Sequence, residues 1–460
     1  MSEAMENGSP LLAAPALEPG LLAATRRALD RFVLTLERFR AGSVDEEEFK
    51  HARLGLGVYS QRQEELYMIR TKIPAGLLSR ARFEGLAAVA ARYGQGEVHF
   101  TTRQDAQIHH VPFDNMLPAL EALFASGVST LGAGGAGLRN INVCAHGHEG
   151  ELDLAPLGAA LADELANHEL AFTLPRKLKI SLCGLAGGCG AILTEDIGVA
   201  PLHDATPDGP RFKIWIGGGQ GAQPKLGAAL DDDVSTDSLL PSILAILAAF
   251  KALGSGASRN RARLKFLIER IGVETFRREY RARLAAREGV EWEPPEISLR
   301  RSEPRVTLTP VTADLPSAAI IKISGAINWN DDTRLQVTKE GRLTVTGIDD
   351  PAALISTCRA LGVHATLGNA GPVVVSWRLP QDQRLGHPLL SDSPGRFREW
   401  PRAPCGRPAG AHARPARPGR AGAHRVAVPG TQKGQRTLRR YHHPAWRGVV
   451  RGRGGGLGRS

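Results

Sequence analysis

LYMIRTKIPAGLLSRARFEGLAAVAARYGQGEVHFTTRQDAQIHHVPFDNMLPALEALFA, residues 66–125, switches its hydrophobic pattern several times within a short length. The run 66–73 reads as a strand ending in Arg70-Thr71-Lys72-Ile73, and 79–93, rich in Ala and Leu, reads as a helix. Strands follow at 97–101 and 107–111 across a short turn, and a second helix at 117–125. Strand, helix, strand, strand, helix in that order predicts an α+β half-domain over residues 51–126.

Working outward, residues 1–50 read as a helical N-terminal extension, with Leu29, Phe32, Val33, Leu36 and Phe39 at helical spacing. Residues 127–295 combine Gly-rich loops, a helix at 157–168, strands at 177–180 and 212–216, and helical sequence over 237–289, which predicts an α/β domain. A diverged repeat of the first half-domain is expected over 305–390. Gly341-Arg342-Leu343-Thr344-Val345-Thr346 echoes Gly96-Glu97-Val98-His99-Phe100-Thr101. Likewise Pro351-Ala352-Ala353-Leu354 echoes Pro118-Ala119-Leu120, and 362–368 echoes 127–132. Both copies are expected to end in a strand, 140–144 in one and 373–377 in the other. Two such halves imply a pseudo-twofold arrangement with a cleft between them.

The net charge of +11 invites a nucleic-acid reading, but its distribution excludes one for the body. From Arg396 onward sixteen Lys or Arg accompany one acid, Glu399, which leaves residues 1–395 slightly acidic. Residues 391–460 are dominated by Arg, Pro, Gly, His and Ala without hydrophobic periodicity. They read as a disordered basic tail, non-native in character, as from a GC-rich gene read out of frame. The acidic N-terminus, broken by Pro15 and Pro19, lacks the pattern of a signal peptide, and the apolar run 239–250 is too short to span a bilayer. Cys144, Cys183, Cys189, Cys358 and Cys405 form no disulfide framework. A cytoplasmic protein without membrane or nucleic-acid partners is expected.

The run Leu174-Pro175-Arg176-Lys177-Leu178-Lys179-Ile180 would put Lys177 and Lys179 on one face of a strand. Neighbouring ammonium groups repel unless an anion lies between them. Arg70 and Lys72, Arg103 within Thr101-Thr102-Arg103-Gln104, and Arg139 within Leu138-Arg139-Asn140 lie on or beside further strand-like runs. A solvated basic face explains any one of these segments. Four of them in this order predict one anion-filled pocket.

These ordered motifs resemble siroheme-dependent sulfite and nitrite reductases, over about residues 51–300 and more weakly to 386. The resemblance implies an α+β fold of two pseudo-twofold-related halves, each a ferredoxin-like half-domain plus an α/β siroheme- or cluster-type domain, the second incomplete here. It implies reduction of sulfite to sulfide, or nitrite to ammonia, with siroheme and a 4Fe-4S cluster, and with ferredoxin or a flavoprotein reductase as electron donor. By the same resemblance Arg70, Arg139, Lys177 and Lys179 would hold the oxyanion substrate and deliver protons. Lys72, Thr101, Arg103, Gln107, His109, Gly217, Gly218, Gly219, Arg259, Arg263 and Lys265 would bind the macrocycle and its eight carboxylates. Lys179 favours sulfite over nitrite. The family's cluster ligands, C-x5-C then C-x3-C, belong to the second half, where Trp377 and Gln383 stand in this chain and only Cys405 follows. Cys183 and Cys189 do make a C-x5-C, but in the first half, and they read as small buried thiols. No metal ligand is therefore assigned, and impaired activity is expected. The alternatives are a siroheme-binding pseudoenzyme or a relative of the tetrapyrrole-modifying synthase of cobalamin assembly.

Overall fold

The structure is a computed structural model that describes residues 19–144, 151–202, 209–254, 261–286, 290, 292–299, 305–309 and 314–368. The chain divides into two compact units, Met1–Arg378 and Leu379–Ser460, and every described residue belongs to the first. The expectations for Arg259, for the strand 373–377, for Trp377, Gln383 and Cys405, and for the 391–460 tail fall outside the described residues.

The helical extension is two helices, α1 (Pro19–Arg40) and α2 (Glu46–Gly55), with Leu29, Phe32 and Leu36 buried. Asp45 starts the second helix by accepting the Glu48 N–H at 2.8 Å. Phe39 stacks on Phe49 across the joint, 4.1 Å between centroids. The opening stretch folds as read: β1 (Val58–Ser60), β2 (Leu66–Arg70), β3 (Leu77–Leu78), α3 (Arg80–Tyr93), β4 (Glu97–Phe100), β5 (Ala106–Pro112) and α4 (Met116–Ala125). Ser79 caps α3, whose Phe83, Leu86, Ala87 and Ala90 are buried.

The α/β part runs β6 (Leu138–Cys144), α5 (Ala155–Ala166), β7 (Leu178–Cys183), β8 (Ile197–Pro201), β9 (Arg211–Ile216), β10 (Ala228–Ser235), α6 (Leu239–Gly254), α7 (Leu264–Ile271) and α8 (Val273–Ala285). Its sheet has the order β10-β9-β8-β7-β6, with β6, β7 and β8 parallel and the other pairings antiparallel. Every residue of β6 is buried, as a parallel strand covered on both faces requires. The apolar α6 is buried in this core, and no described helix is long and apolar enough to cross a membrane.

The second half-domain follows as β11 (Arg305–Thr309), β12 (Asp314–Pro316), α9 (Ser317–Ala326), β13 (Arg334–Val337), β14 (Leu343–Thr346), α10 (Pro351–Ala360) and β15 (His364–Gly368). Two sheets of matching order result, β1-β2-β5-β4-β12 and β15-β11-β14-β13-β3. Each half lends its short strand to the other: β3 pairs with β13, and β12 with β4. This reciprocal exchange is the expected pseudo-twofold relation. One echo is corrected. The 341–346 segment was matched to 96–101, yet β14 takes the place of β5 in the sheet order while β13 takes that of β4. Alternating patterns recur on both strands of a hairpin, so alternation alone cannot say which strand is which. Of the other two echoes, α10 stands in the place of α4, whereas 362–368 carries the edge strand β15 on β11 and 127–132 makes only the single bridge of Ser129 to Lys72.

Gln104 joins the three sheets. It sits at a left-handed φ of 59° in the β4–β5 turn, which is costly for a residue other than glycine. Its Nε2 donates to the carbonyls of Val143 (3.0 Å) and Val337 (2.8 Å), and its Oε1 accepts from Val143 N–H at 2.7 Å. Gln104→Ala leaves these buried groups unpaired. It is expected to cost about 2–3 kcal/mol, read as a lower urea midpoint with an unchanged slope.

Candidate active site

Arg139 and Lys177, at the starts of β6 and β7, line one cavity of about 640 Å³. Lys50, His51 and Arg53 of α2, with Arg176, add to its positive wall, and Glu47 is its acid. Arg139 is electrostatically coupled to Arg70 and Arg103, and Lys177 to Arg139, Lys179 and Arg263. The four residues expected to hold the oxyanion therefore fall in one field. Burial, then the Arg139 and Lys179 charges, push the Lys177 ammonium down to about 8. Burial also lowers Arg139 and Lys179, with Glu195 opposing the shift at Lys179.

Arg139 has a structural task as well. Its guanidinium donates to the carbonyls of Gly132, Gly134, Gly135 and Gly137 at 2.7–3.3 Å, which fixes the glycine loop beside the cavity. Lys179 lies 3.7 Å from Glu195, whose other oxygen accepts from Arg103 at 2.8 Å. Arg103 also donates to Asn140 O at 2.6 Å. Arg263 donates to both oxygens of Asp196 (3.0 and 3.1 Å), and Asp196 accepts the Lys179 backbone N–H at 3.1 Å. Lys265 donates to the carbonyls of Gln220 and Gln223. Thus Arg103, Arg263 and Lys265, expected to face a bound macrocycle, already have partners within the chain.

The other expected residues divide in the same way. Thr101 accepts the N–H groups of Arg103 and Asp105 and shapes the β4–β5 turn. Gln107, with its amide oriented to match its neighbours, accepts from Arg70 at 2.7 and 3.0 Å and donates to His109. His109 is half-buried, and burial together with His99 and His110 lowers its pKa. Lys72 is buried beside the Phe172 ring and is pushed down by burial to about 8. At Gly218 a Cβ would stand 2.2 Å from Leu193 O and 2.5 Å from Glu195 O, and at Gly219 2.8 Å from the Arg263 guanidinium. Backbone carbonyls therefore demand glycine at 218, whereas at 219 the neighbour is a long side chain that can move aside. Arg259 lies outside the described residues.

Sequence reasoning overlooks the acids. Glu195 and Asp196 stand before β8 in Thr194-Glu195-Asp196-Ile197-Gly198, where the doublet itself was the available signal. Asp105 follows Gln104 in the turn and faces Arg70, Arg103 and Lys72. Burial raises both Asp105 and Asp196 to about 6. A carboxyl whose folded pKa lies above its unfolded 3.8 contributes stability that is complete at lower pH and is lost as pH rises through about 6. Asp196→Asn is therefore expected to flatten the fall in urea midpoint between about pH 4 and 6, by at most ~1.4 kcal/mol per pH unit.

The cysteines correct a second expectation. Cys183 and Cys189, expected as small buried thiols, converge with Cys144, the three sulfurs all within 4.8 Å of one another. Cys144 and Cys189 are 3.5 Å apart, and Cys144 and Cys183 are cross-strand partners at the ends of β6 and β7. Contacts with Cys144 and Cys189, then burial, raise the Cys183 thiol above its usual range. Cys358 packs in a different core. The assignment of no metal ligand rested on spacing along the chain, which cannot register a meeting of strand ends.

The fold is thus an α/β sheet joined to two half-domains that exchange strands, with a basic cavity at the starts of β6 and β7. Residues 134–287 match the family described as the nitrite and sulphite reductase 4Fe-4S domain, and residues 59–125 the nitrite/sulfite reductase ferredoxin-like half domain. Over these two stretches the chain is similar to the nitrite and sulfite reductase family. It is 33% identical over 245 residues to a ferredoxin–nitrite reductase of Synechococcus elongatus, covering 49% of this chain and 47% of that protein. It is 30% identical over 241 residues to an assimilatory ferredoxin-dependent nitrite reductase of Haloferax mediterranei, covering 48% and 41%. The NADPH sulfite reductase hemoprotein beta-component of Acidithiobacillus ferrooxidans is 27% identical over 259 residues, covering 49% and 46%. Among solved structures the Mycobacterium tuberculosis NirA protein shares the fold, with a TM-score of 0.59 at 20% identity over 70% of this chain and 65% of that one. The chain spans about half the length of the curated relatives it matches.

Proposed function

We propose that this chain works as a reductase of small oxyanions, nitrite or sulfite, binding siroheme and substrate in the basic cleft between α2 and the starts of β6 and β7. The observation that carries the reading is the shared cavity of Arg139 and Lys177, with Lys50, Arg53 and Arg176 around it and Arg70 and Lys179 in the same field. The residues fit a polycarboxylate macrocycle. Arg103 and Arg263 each keep a buried Nε–H without an acceptor among the described residues, and the cations of the cavity outnumber its acid.

Bound siroheme would supply the redox-active iron at which the oxyanion is reduced. The chain's own residues have simpler tasks. Arg139, held rigid by the glycine carbonyls, and Arg70, oriented by Gln107, fix the oxyanion by charge. Lys177, near 8, can give up a proton close to neutral pH and regain it from solvent through the open cavity. Glu195 sets the position of Lys179 and Arg103. Electrons would come from a ferredoxin- or flavoprotein-class donor; the names of the relatives give ferredoxin for one and NADPH for the other.

A second reading, tetrapyrrole binding without reduction, is favoured by the thiols. A cubane cluster caps a different iron with each of four cysteines, so its ligand sulfurs stand farther apart than these three, and a fourth is lacking among the described residues. The residues do not fit the cluster. Expression of the whole chain in cells making siroheme tests the main reading. Purified protein should be coloured, and its absorption should shift on adding nitrite or sulfite. A folded but colourless protein overturns both readings. Colour and a shift without turnover under a chemical reductant leave the second.

A further inference from the structure

We infer that Cys144, Cys183 and Cys189 form a binding site for a single thiophilic metal ion of the zinc type, with no fourth protein ligand among the described residues. The inference is independent of the tetrapyrrole reading, since it concerns the far ends of β6 and β7. A zinc ion bonded tetrahedrally to thiolates at about 2.3 Å sets their sulfurs about 3.8 Å apart. The separations here, 3.5 Å between Cys144 and Cys189 and none of the three above 4.8 Å, bracket that value.

The backbone holds this arrangement. Parallel pairing makes Cys144 and Cys183 neighbours across two strands. Gly187 and Gly188 then take left-handed φ angles of 72° and 78°, which curl the chain so that Cys189 returns over them. The Gly187 N–H donates to Pro201 O at 2.8 Å and the Gly188 N–H to Leu185 O at 2.9 Å, and a Cβ on Gly188 would lie 2.6 Å from the Ile192 side chain. Ile192 and Ala200 are buried against the thiols, with Leu185, Leu193 and Trp215 packed around them. An apolar jacket of this kind keeps water from a thiolate–metal bond on all sides but one, because Cys144 and Cys183 are buried while Cys189 is half-exposed. Three weak S–H groups gain little from one another as hydrogen-bonding partners. Shared coordination of a soft cation gives the convergence a chemical reason.

The test is metal analysis of the full chain, purified under reducing conditions and dialysed against zinc. About one zinc per chain is expected, with three of the five cysteines protected from alkylation. Cobalt(II) loaded in its place should show thiolate-to-metal charge-transfer absorption. Cys189→Ser, at the half-exposed position, should keep the far-ultraviolet circular dichroism of the parent and lose at least about tenfold in zinc affinity, as the loss of a thiolate from a small site predicts. Full alkylation of a folded, zinc-treated chain overturns the inference. So does recovery of iron and acid-labile sulfide in equal amounts at this site. A colourless protein that still binds zinc at the triad would overturn the proposed function alone.

Discussion

Arg103→Glu is expected to strip the protein of any bound tetrapyrrole and to cost the fold about 3–5 kcal/mol. Arg103 is buried, donates to Glu195 at 2.8 Å and to Asn140 O at 2.6 Å, and so links the β4–β5 turn to β6 and to the segment ahead of β8. A carboxylate in its place faces Glu195 with like charge in a site little exposed to water, and Lys179, 3.7 Å from Glu195, can neutralise only one of the two. The Asn140 carbonyl loses its donor at the same time. The expected readings are a urea midpoint well below that of the parent and colourless protein from siroheme-producing cells. Arg103→Met combined with Glu195→Gln removes both charges while keeping approximate volume, and should recover most of the stability but not the colour. A coloured Arg103→Glu protein of parental stability would show that the cleft lies elsewhere.

That prediction turns on a partner the sequence reading did not anticipate, and the reason is physical. The elements of residues 66–125 are legible because each has its own pattern: a short apolar run in β2, alternation in β4 and β5, a helical stripe in α3 and α4, and Ser79 at a helix start. The cations were legible as short basic runs, but not their separate settings: Lys177 lines the cavity with Arg139, and Lys179 lies against Glu195. What stayed hidden depends on distance along the chain. Arg103 meets Glu195 across 92 residues, Arg263 meets Asp196 across 67, and Gln104 meets Val337 across 233. No local pattern encodes which carboxylate will neutralise which cation. The strand exchange of β3 and β12 was hidden likewise, because short strands carry too little alternation to announce a partner sheet. The Cys144–Cys183–Cys189 cluster shows the same limit: a C-x5-C spacing was visible, but the third thiol arrives from a neighbouring strand. The glycines at 217–219 were legible as a close-packed loop, but not their neighbours: the Leu193 and Glu195 carbonyls crowd Gly218, and the Arg263 and Lys265 side chains lie against Gly219.

Lys177→Glu is expected to abolish oxyanion binding, and Lys177→Ala to weaken it about 10- to 150-fold, the equivalent of one charge-assisted hydrogen bond of about 1.5–3 kcal/mol. Lys177 lines the cavity with Arg139 and is not needed to hold the fold, since it precedes β7 and its neighbour Leu178 supplies the buried contact. Its folded pKa of about 8 lies below the ordinary 10.5 because burial and the Arg139 and Lys179 charges disfavour the ammonium. An anion needs that ammonium charged. Affinity for nitrite, which keeps one charge state over this range, should therefore be flat below about pH 8 and decline above it, approaching about tenfold per pH unit for one linked proton. Lys177→Arg keeps a charge that does not titrate in this range, so its affinity should hold through pH 9 even if its value at pH 7 is lower. Titration of the coloured protein with nitrite across pH 6–9.5, followed by absorption, gives both curves. If Lys177→Arg declines in parallel with the parent, the titrating group is another one, and Lys72, also near 8 but buried behind the cleft, becomes the residue to replace next.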